Sequence, residues 1–592
     1  MYILGVSCYY HDAAAALTHD GTLVAASEEE RFSRVKHDYG FPKNAIRFCL
    51  DQAGLQGKEV DYVAFFEKPF RKFDRILMTT LQTYPRSWKV FRESMISWMI
   101  DKLWVRATLQ AELGISKDKV LFCEHHLSHA ASAYLCSPFD EAAILTVDGV
   151  GEWVTATYGI GRGNDIRLSK QMEFPHSIGL LYSAFTAFLG FEVNEGEYKV
   201  MGMAPYGVPR YVDKVWKVVQ ENTDGSFSLD MDYFCFHHST DQTYNQKFVA
   251  LFGEPRPARL PFFTQQTGFP EYFGTPPANY NELCELNQHY ADIAASIQLV
   301  TEELLLGMAN HLHRVTGLKR LCIAGGVGLN SVANTRILRE TPFEQLFVQP
   351  AAGDGGGALG AALWVYNSLL RRPRTFTMQH AYWGRSNSEA EIGDFLQRNG
   401  IPFQHFDDED DLLERVVERL TQGKVIGWAQ GRFEWGPRAL GNRSILADPR
   451  NPEMKDIVNA KIKFREPYRP FAPSVLVECA EKYFDIPQAL YHDPARYMLY
   501  VVPVRENQRC ALPAITHVDG TGRLQTVFRD QSQRYYRLIE HFGQATGIPV
   551  LLNTSFNLKG EPIVNTPAEA FHTFSKSGMD DLILENFLVG KA

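Results

Sequence analysis

The chain has 592 residues, of which 45% are hydrophobic and 22% charged, which is ordinary for a soluble globular protein. Sixty Lys and Arg against 69 Asp and Glu give a net charge of −9, which argues against a nucleic-acid or anionic-membrane partner. The nine cysteines form no Cys-x-x-Cys pair, which favours free thiols over disulfides or a cysteine–zinc site. Because the sequence has no membrane-length apolar run and no basic leader, we expect a cytoplasmic protein.

The opening of the chain contains a strand, ILGVS, and then two apolar runs joined by a turn at Asp20-Gly21, which is the pattern of a β-hairpin. A similar pattern returns near residue 142, where an apolar strand ends in Asp148-Gly149 and a second strand follows. The two openings indicate a duplicated unit. Duplicated halves of sheet and helices with a cleft between them are the plan of the actin-like (ASKHA) ATPase fold.

The later segments fit an α/β fold of two domains. Residues 291–317 have the apolar spacing of a helix and end at a glycine. Two predicted strands that follow this helix each lead into a glycine-rich loop, which is typical of the ligand-binding side of an α/β sheet. The basic, proline-containing stretch RRPRTFTMQH that follows is predicted to be a linker. We predict an N-terminal domain at 1–368, a linker at 369–385 and a C-terminal α/β domain at 386–592.

The strongest local motif for metal binding is CEHHLSHAASAY. His125 and His129 are four residues apart, so a helix would place both imidazoles on one face. Asp148 and Asp354 each follow an apolar strand in a glycine-rich turn, and two His with two Asp suit Fe(II), Mn or Zn. Solvated histidines at a helix start are the alternative. His126 points off this face and is predicted to be a surface or outer-shell residue.

His11 follows the first strand and would lie in the same cleft if the unit is duplicated. A histidine there can act as a general base or as a hydrogen-bond donor, and the alternative is a simple turn residue.

Glycine-rich loops suggest nucleotide binding, because glycine lets a phosphate approach the backbone closely. None of them is a P-loop or a Rossmann fingerprint. The candidate positions are Gly149, Gly151, Gly325, Gly326 and Asn330.

The C-terminal half is rich in side chains that bind anions, and they alternate with Gly, Pro and aromatic residues. This pattern favours a phosphate or carboxylate site over a solvated basic face. The residues are Arg432, Arg438, Arg443, Lys463, Arg465, Arg469, Arg523, Ser555 and Asn557.

Taken in order, motifs such as YHDAAAAL, HHLSHAASAY, GEYKVMGMAPYG, GRFEWGPRALGNRSIL, FREPYRPFAPS and LLNTSFNLKGEPIV run through essentially the whole chain. Together they resemble the O-carbamoyltransferase family of enzymes that tailor nodulation factors, antibiotics and other natural products. The arginine-rich motif at 431–446 is the most specific of them.

The resemblance implies an actin-like first domain with iron at His125, His129, Asp148 and Asp354. It implies a second domain similar to threonylcarbamoyl-AMP synthases of the YrdC type. The family reaction joins carbamoyl phosphate and Mg-ATP into carbamoyl-adenylate, whose carbamoyl group then goes to an acceptor hydroxyl.

The roles that the resemblance carries onto this chain fall into three groups. His11 and Asp12 are the predicted catalytic pair. Carbamoyl phosphate is assigned to Lys463, Arg465, Arg523, Ser555 and Asn557. The nucleotide is assigned to Arg438, Arg443, Lys199, Gly149, Gly151, Gly325, Gly326 and Asn330.

Three alternatives remain open from the residues alone: an actin-like sugar kinase, a nucleotide-gated binding protein and a metallohydrolase. The sequence does not identify the small-molecule acceptor. Residues 67–110 and 232–285 are candidates for its pocket, and both could equally be oligomer contacts, as in a homodimer.

Overall fold

The computed structural model describes residues 1–100, 102–258, 260–270, 273–463, 465–466, 468–488 and 493–591. The chain forms two compact units. The first contains residues 1–29, 37–268 and 277–378, and the second contains 30–36, 269–276 and 379–592. Two short segments from the N-terminal half of the sequence therefore group with the second unit.

The strands, in chain order, are β1 (Tyr2–Ser7), β2 (Ala14–His19), β3 (Thr22–Glu28), β4 (Tyr62–Phe65), β5 (Val120–Phe122), β6 (Glu141–Val147), β7 (Val154–Arg162), β8 (Asp165–Glu173), β9 (Val219–Glu221), β10 (Phe227–Leu229), β11 (Arg320–Ala324), β12 (Gln345–Val348), β13 (Gln404–His405), β14 (Ile426–Ala429), β15 (Arg443–Ala447), β16 (Ala472–Leu476), β17 (Val501–Pro503), β18 (Thr521–Arg523), β19 (Gln525–Val527), β20 (Val550–Ser555), β21 (Asp581–Leu584) and β22 (Phe587–Gly590).

The α-helices are α1 (Glu30–Ser33), α2 (Lys43–Ala53), α3 (Pro69–Thr83), α4 (Trp88–Ile100), α5 (Val105–Leu113), α6 (His125–Tyr134), α7 (Ile178–Phe188), α8 (Glu197–Met203), α9 (Val212–Val215), α10 (Gln246–Phe252), α11 (Tyr280–Thr316), α12 (Ser331–Glu340), α13 (Asp354–Leu363), α14 (Glu389–Arg398), α15 (Glu409–Thr421), α16 (Met454–Val458), α17 (Ala480–Tyr483), α18 (Asp493–Arg496), α19 (Glu506–Arg509), α20 (Gln533–Thr546) and α21 (Pro567–Ser575). None of these helices, in the part of the chain that is described, combines the length and the apolar character needed to cross a bilayer.

The first unit contains two five-stranded sheets with the same topology. Their strand orders are β3-β2-β1-β4-β5 and β8-β7-β6-β11-β12. In each sheet the first strand pairs antiparallel with the next strand along the chain and parallel with the fourth. The shared order 3-2-1-4-5 confirms the predicted duplication and the actin-like α/β class.

Helices α6 and α13 pack tightly against each other in this unit. All ten residues of α13 are buried, and seven of them are Gly or Ala. A Cβ on Gly360 would lie 1.9 Å from the carbonyl oxygen of Ser128 and 2.8 Å from the backbone nitrogen of Ser132, both on α6. Only glycine therefore allows this approach.

The long helix α11 begins earlier than its apolar spacing predicted. It starts at Tyr280 rather than at residue 291, because Cys284, Asn287 and Tyr290 also face the interior. Its predicted end is confirmed, since Gly317 adopts the left-handed conformation with φ of 67°.

The second unit is built on a mixed eight-stranded sheet with the order β13-β22-β21-β14-β15-β20-β16-β19. Helices α15 and α20 cover it, and their apolar faces meet Trp428 and Leu551 of the sheet in one buried cluster. This confirms an α/β fold for the C-terminal part. Residues 371–381, within the predicted linker, form no helix or strand.

Replacing Gly360 by Ala should destabilise the protein, because the new methyl group would overlap the backbone of α6. Overpacking of this kind costs about 1–3 kcal/mol. Gly353→Ala is the matched control, since a Cβ there meets nothing within 4 Å. Urea unfolding of both variants checks this. Equal midpoints for the two variants would show that the α6–α13 contact is loose.

Candidate active site

Four buried polar side chains of the first unit converge on one point. Helix α6 presents His125 and His129, β6 is followed directly by Asp148, and α13 begins at Asp354. The Nε2 atoms of the two histidines lie 3.1 Å apart, and His125 Nε2 lies 3.1 Å from Asp148 Oδ2. Asp354 Oδ1 lies 3.6 Å from His125 Nε2 and 3.5 Å from His129 Nε2. The structure thus brings all four predicted ligands together.

The donor set fits a divalent metal. One ligand atom from each side chain lies within 4.8 Å of all the others. The second carboxylate oxygen of Asp354 is buried and makes no hydrogen bond to the described residues, so nothing else there satisfies it. Two imidazole nitrogens and two carboxylate oxygens suit Fe(II), Mn(II) and Zn(II) alike.

The charges of the cluster act strongly on one another. Burial disfavours the cation of His125, but the carboxylates of Asp354 and Asp148 outweigh it and raise the pKa of His125 to about 10. Burial also opposes the charge of Asp148, yet its contacts with both histidines hold the pKa of Asp148 well below its usual range. The Asp148 carboxylate therefore remains charged and needs positive charge beside it.

An outer layer supports His125, and sequence reasoning missed it. The Glu67 carboxylate lies 3.8 Å from His125 Nδ1 and forms a 2.7 Å ion pair with Lys72, and both partners are buried. The Glu152 carboxylate accepts the backbone N–H of His125 at 3.0 Å. A carboxylate behind a ligating histidine fixes its ring orientation. No motif flags Glu67, because it lies 58 residues before its partner.

His126 is an interior residue rather than a surface one. Its Nε2 donates to the carbonyl of Val154 at 2.9 Å, and its Nδ1 lies 2.7 Å from the Thr146 hydroxyl. Burial and then the neighbouring histidines hold the pKa of His126 well below its usual range, so it stays neutral.

The predicted pair His11 and Asp12 is joined by a third residue. His11 Nδ1 lies 2.8 Å from one oxygen of Asp12, and His37 Nδ1 lies 2.8 Å from the other. His11 Nε2 donates to the carbonyl of Asn194 at 2.9 Å. Burial opposes the charge on His11, but Asp12 outweighs it and raises the pKa of His11 to about 10. His11 is therefore held as an imidazolium.

The glycine-rich loops of the first unit lie against the His/Asp cluster. A Cβ on Gly151 would meet the ring of His125 at 2.8 Å, and the Gly326 N–H donates to Asp148 Oδ1 at 2.9 Å. Gly325 has a φ of 94°, and a Cβ there would lie 2.2 Å from the carbonyl oxygen of Val147. At least these three glycines shape the cluster directly.

The other predicted nucleotide residues of this unit have varied surroundings. Asn330 caps α12 by accepting the N–H of Ala333 at 3.2 Å. The Lys199 ammonium lies over the rings of Phe191 and Tyr198. Gly149 lies beside Tyr10, whose hydroxyl is 3.8 Å from the position of an added Cβ. Their roles in nucleotide binding stay predictions.

The second unit brings Lys463, Ser555 and Asn557 into direct contact. The buried Lys463 ammonium donates to the Ser555 carbonyl, and to the carbonyl and side-chain oxygens of Asn557 at 3.0 and 2.9 Å. The Ser555 hydroxyl donates to Asn557 Oδ1 at 2.7 Å. Lys463, Ser555 and Asn557 thus form one hydrogen-bonded cradle.

Arginines crowd next to this cradle. Burial, followed by the positive charges of Arg438, Arg465 and Arg469, holds the pKa of Arg523 well below its usual range. No carboxylate among the described residues pairs with Arg523, and its buried Nε has no hydrogen-bond partner there. Positive charges packed around Arg523, which has no counter-charge of its own among the described residues, indicate a site for an anion.

Arg443 differs from the other predicted arginines. Its guanidinium is 1% exposed and donates to the carbonyls of Gln430, Asn442 and Gly431, and to that of Arg385. Its predicted contact with ATP phosphates stays a prediction, and this geometry favours a role in holding the loop around residues 430–442.

Comparison with known proteins identifies the class. The family model "Carbamoyltransferase N-terminus" matches residues 2–363, and "Carbamoyltransferase C-terminus" matches residues 417–591. The chain therefore belongs to the carbamoyltransferase family, and the protein is a transferase enzyme.

Several relatives extend this result. The chain is 46% identical to an uncharacterized protein, sll1178, of Synechocystis sp., over 100% of this chain and 97% of that protein. It is 38% identical to the nodulation protein NolNO of Sinorhizobium fredii, over 98% of this chain and 79% of that protein. It is 35% identical to the 3'-hydroxymethylcephem-O-carbamoyltransferase of Amycolatopsis lactamdurans, over 45% of this chain and 47% of that protein.

Removing the charge of Glu67 should weaken metal binding. Loss of a carboxylate behind a ligating histidine typically costs about 10–100-fold in metal affinity. Titration of Glu67→Gln with Fe(II), Mn(II) or Zn(II) against a chromophoric chelator measures this. Glu112→Gln, which only removes a surface pair with Lys43, is the control. Unchanged affinity in Glu67→Gln would mean that Glu67 serves only to neutralise Lys72.

Proposed function

We propose that the protein is an ATP-dependent O-carbamoyltransferase. In the proposed reaction water hydrolyses carbamoyl phosphate to carbamate and phosphate. A carbamate oxygen then attacks the α-phosphate of Mg-ATP, which forms carbamoyl-adenylate and releases pyrophosphate. An acceptor hydroxyl then takes the carbamoyl group and AMP leaves. The observation that carries the proposal is Arg523, which has no ion-pair partner among the described residues and lies near three further arginines, in a unit separate from the His/Asp cluster.

The first step is assigned to the second unit because both of its substrates are strongly anionic. Lys463, Arg465 and Arg523 would hold carbamoyl phosphate, with Ser555 and Asn557 completing the cradle. Arg438 would face the ATP phosphates. Fixed cations of this kind offset the repulsion between the two anions and stabilise the departing pyrophosphate.

The second step is assigned to the first unit. His125, His129, Asp148 and Asp354 would hold the metal, which supplies Lewis-acid stabilisation of phosphate or carbonyl oxygen when bound. Lys199 and the loops at Gly149, Gly151, Gly325, Gly326 and Asn330 would bind the adenylate moiety.

His11 would accept the proton of the acceptor hydroxyl in this step. Asp12 would support His11 in this role, because a carboxylate beside an imidazole stabilises the imidazolium that forms. The resting imidazolium must first lose its proton, so the proposal predicts a distinct pH dependence.

A hydroxyl acceptor is supported by the name of the Amycolatopsis relative, which is an O-carbamoyltransferase. The anionic-substrate cradle has no purpose in a sugar kinase or in a simple metallohydrolase. We infer a small-molecule acceptor, and its identity is left to a screen of carbamoyl transfer from labelled carbamoyl phosphate onto extracted metabolites.

Arg523→Ala should abolish pyrophosphate release that depends on carbamoyl phosphate. Loss of one partner from a buried anion site costs about 2–5 kcal/mol of binding free energy. The same variant should still transfer carbamoyl from synthetic carbamoyl-adenylate. Arg398→Ala, at an exposed surface pair, is the control. Normal adenylate formation by Arg523→Ala, or no transfer even from supplied adenylate, would contradict the division of steps.

His11→Asn should slow transfer from supplied carbamoyl-adenylate by roughly 10²–10⁴-fold. Because the base form is the deprotonated one and the pKa of His11 is raised to about 10, the parent rate should rise with pH up to that value. The variant should lose this rise, whereas the exposed control His405→Asn should keep it. A parent rate that falls with rising pH would instead indicate that His11 acts as an acid.

A further inference from the structure

Helix α3 buries two of its charged side chains and exposes three of its large apolar ones. Its buried residues are Pro69, Lys72, Arg75 and Thr80. The Lys72 ammonium pairs with Glu67 at 2.7 Å, and the Arg75 guanidinium donates to the Gly151 carbonyl. Two charged side chains of α3 are thus used inside the first unit, while Phe70, Met78 and Leu81 are left exposed.

Helix α4 continues the outward apolar face. Trp98 is its buried residue. Trp88, Ile96 and Met99 are exposed, and their separations of eight and then three residues place them on one side of the helix. Of the 18 large hydrophobic residues exposed in the described chain, nine fall between residues 70 and 104. These nine form what we call the α3–α4 surface: Phe70, Met78, Leu81, Tyr84, Trp88, Ile96, Met99, Ile100 and Trp104. A concentration of this kind marks an interaction site.

The same segment is basic, although the whole chain is acidic. Residues 69–106 contain eight Lys or Arg against three Asp or Glu, which gives +5 in a chain of net charge −9. Arg86 and Arg92 are exposed, and no ion pair within the described residues involves them. Since Lys72 and Arg75 are buried and Lys89 pairs with Asp241, the positive charge at this surface comes mainly from Arg86 and Arg92.

The positive charge and the exposed apolar area of the α3–α4 surface together indicate what kind of partner it binds. A second copy of this chain would bring the same positive charge against itself, so charge opposes a symmetric dimer on this face. Exposed Trp and Tyr with flanking Lys and Arg are typical of helices that lie in the interface of a bilayer. We propose that the α3–α4 surface docks on an anionic lipid membrane, with its apolar side chains among the headgroups. This inference is independent of the proposed reaction.

Co-sedimentation of the full-length protein with vesicles tests the proposal. We expect binding to phosphatidylcholine vesicles that contain phosphatidylglycerol, weaker binding to pure phosphatidylcholine, and weakening by salt. Leu81→Ser/Trp88→Ser/Met99→Ser should bind at least about tenfold more weakly, because apolar area is lost. Arg86→Glu/Arg92→Glu should bind anionic vesicles at least about tenfold more weakly, since each basic residue near such a surface contributes about fivefold.

Matched controls separate the surface from a general effect. Val208→Ser/Val315→Ser removes exposed apolar residues elsewhere, and Lys319→Glu/Arg398→Glu reverses exposed charges elsewhere. Both controls should bind as the parent does. Absence of binding to either kind of vesicle overturns the proposal, and so do equal losses in the controls. A parent dimer that the triple substitution converts to a monomer in sedimentation velocity would also overturn it, and would assign the surface to a second copy.

Discussion

The convergence of His125, His129, Asp148 and Asp354 is the constraint on which the first unit depends. Two buried carboxylates within 3.5–3.6 Å of imidazole nitrogens are costly unless positive charge lies among them. The convergence requires α6 and α13 to approach closely, which Gly360 permits. It also requires β6 to end directly before Asp148. The duplicated sheets therefore serve to bring a helix start, a helix face and a strand end to one point.

The charged clusters of the two units suit ligands of opposite charge. The cluster of the first unit offers imidazole and carboxylate ligands to a cation, whereas Arg523, packed near other arginines in the second unit, offers a binding group to an anion. This contrast supports the assignment of different steps to the two units. Adenylation needs a place where two anionic substrates can meet, and carbamoyl transfer needs an electrophile beside a proton acceptor.

Much of this arrangement could be predicted from local sequence patterns. The strand–turn repeats indicated the duplication, and the four-residue spacing of His125 and His129 placed both on one helix face. Contacts between residues far apart in the chain could not be predicted, because no helical or strand spacing relates Glu67 to His125 or His37 to Asp12. The sequence also could not show that the Arg443 guanidinium is engaged by backbone carbonyls, or that α3 buries two of its charged side chains.

The most direct test of this account is the position and stoichiometry of the bound metal. Anomalous diffraction at the iron, manganese and zinc edges, on crystals of protein purified without chelator, would measure both. The account predicts one metal ion per chain, bound by His125, His129, Asp148 and Asp354. Fully active protein that contains no metal at these four residues, in the crystal and by elemental analysis, would contradict it.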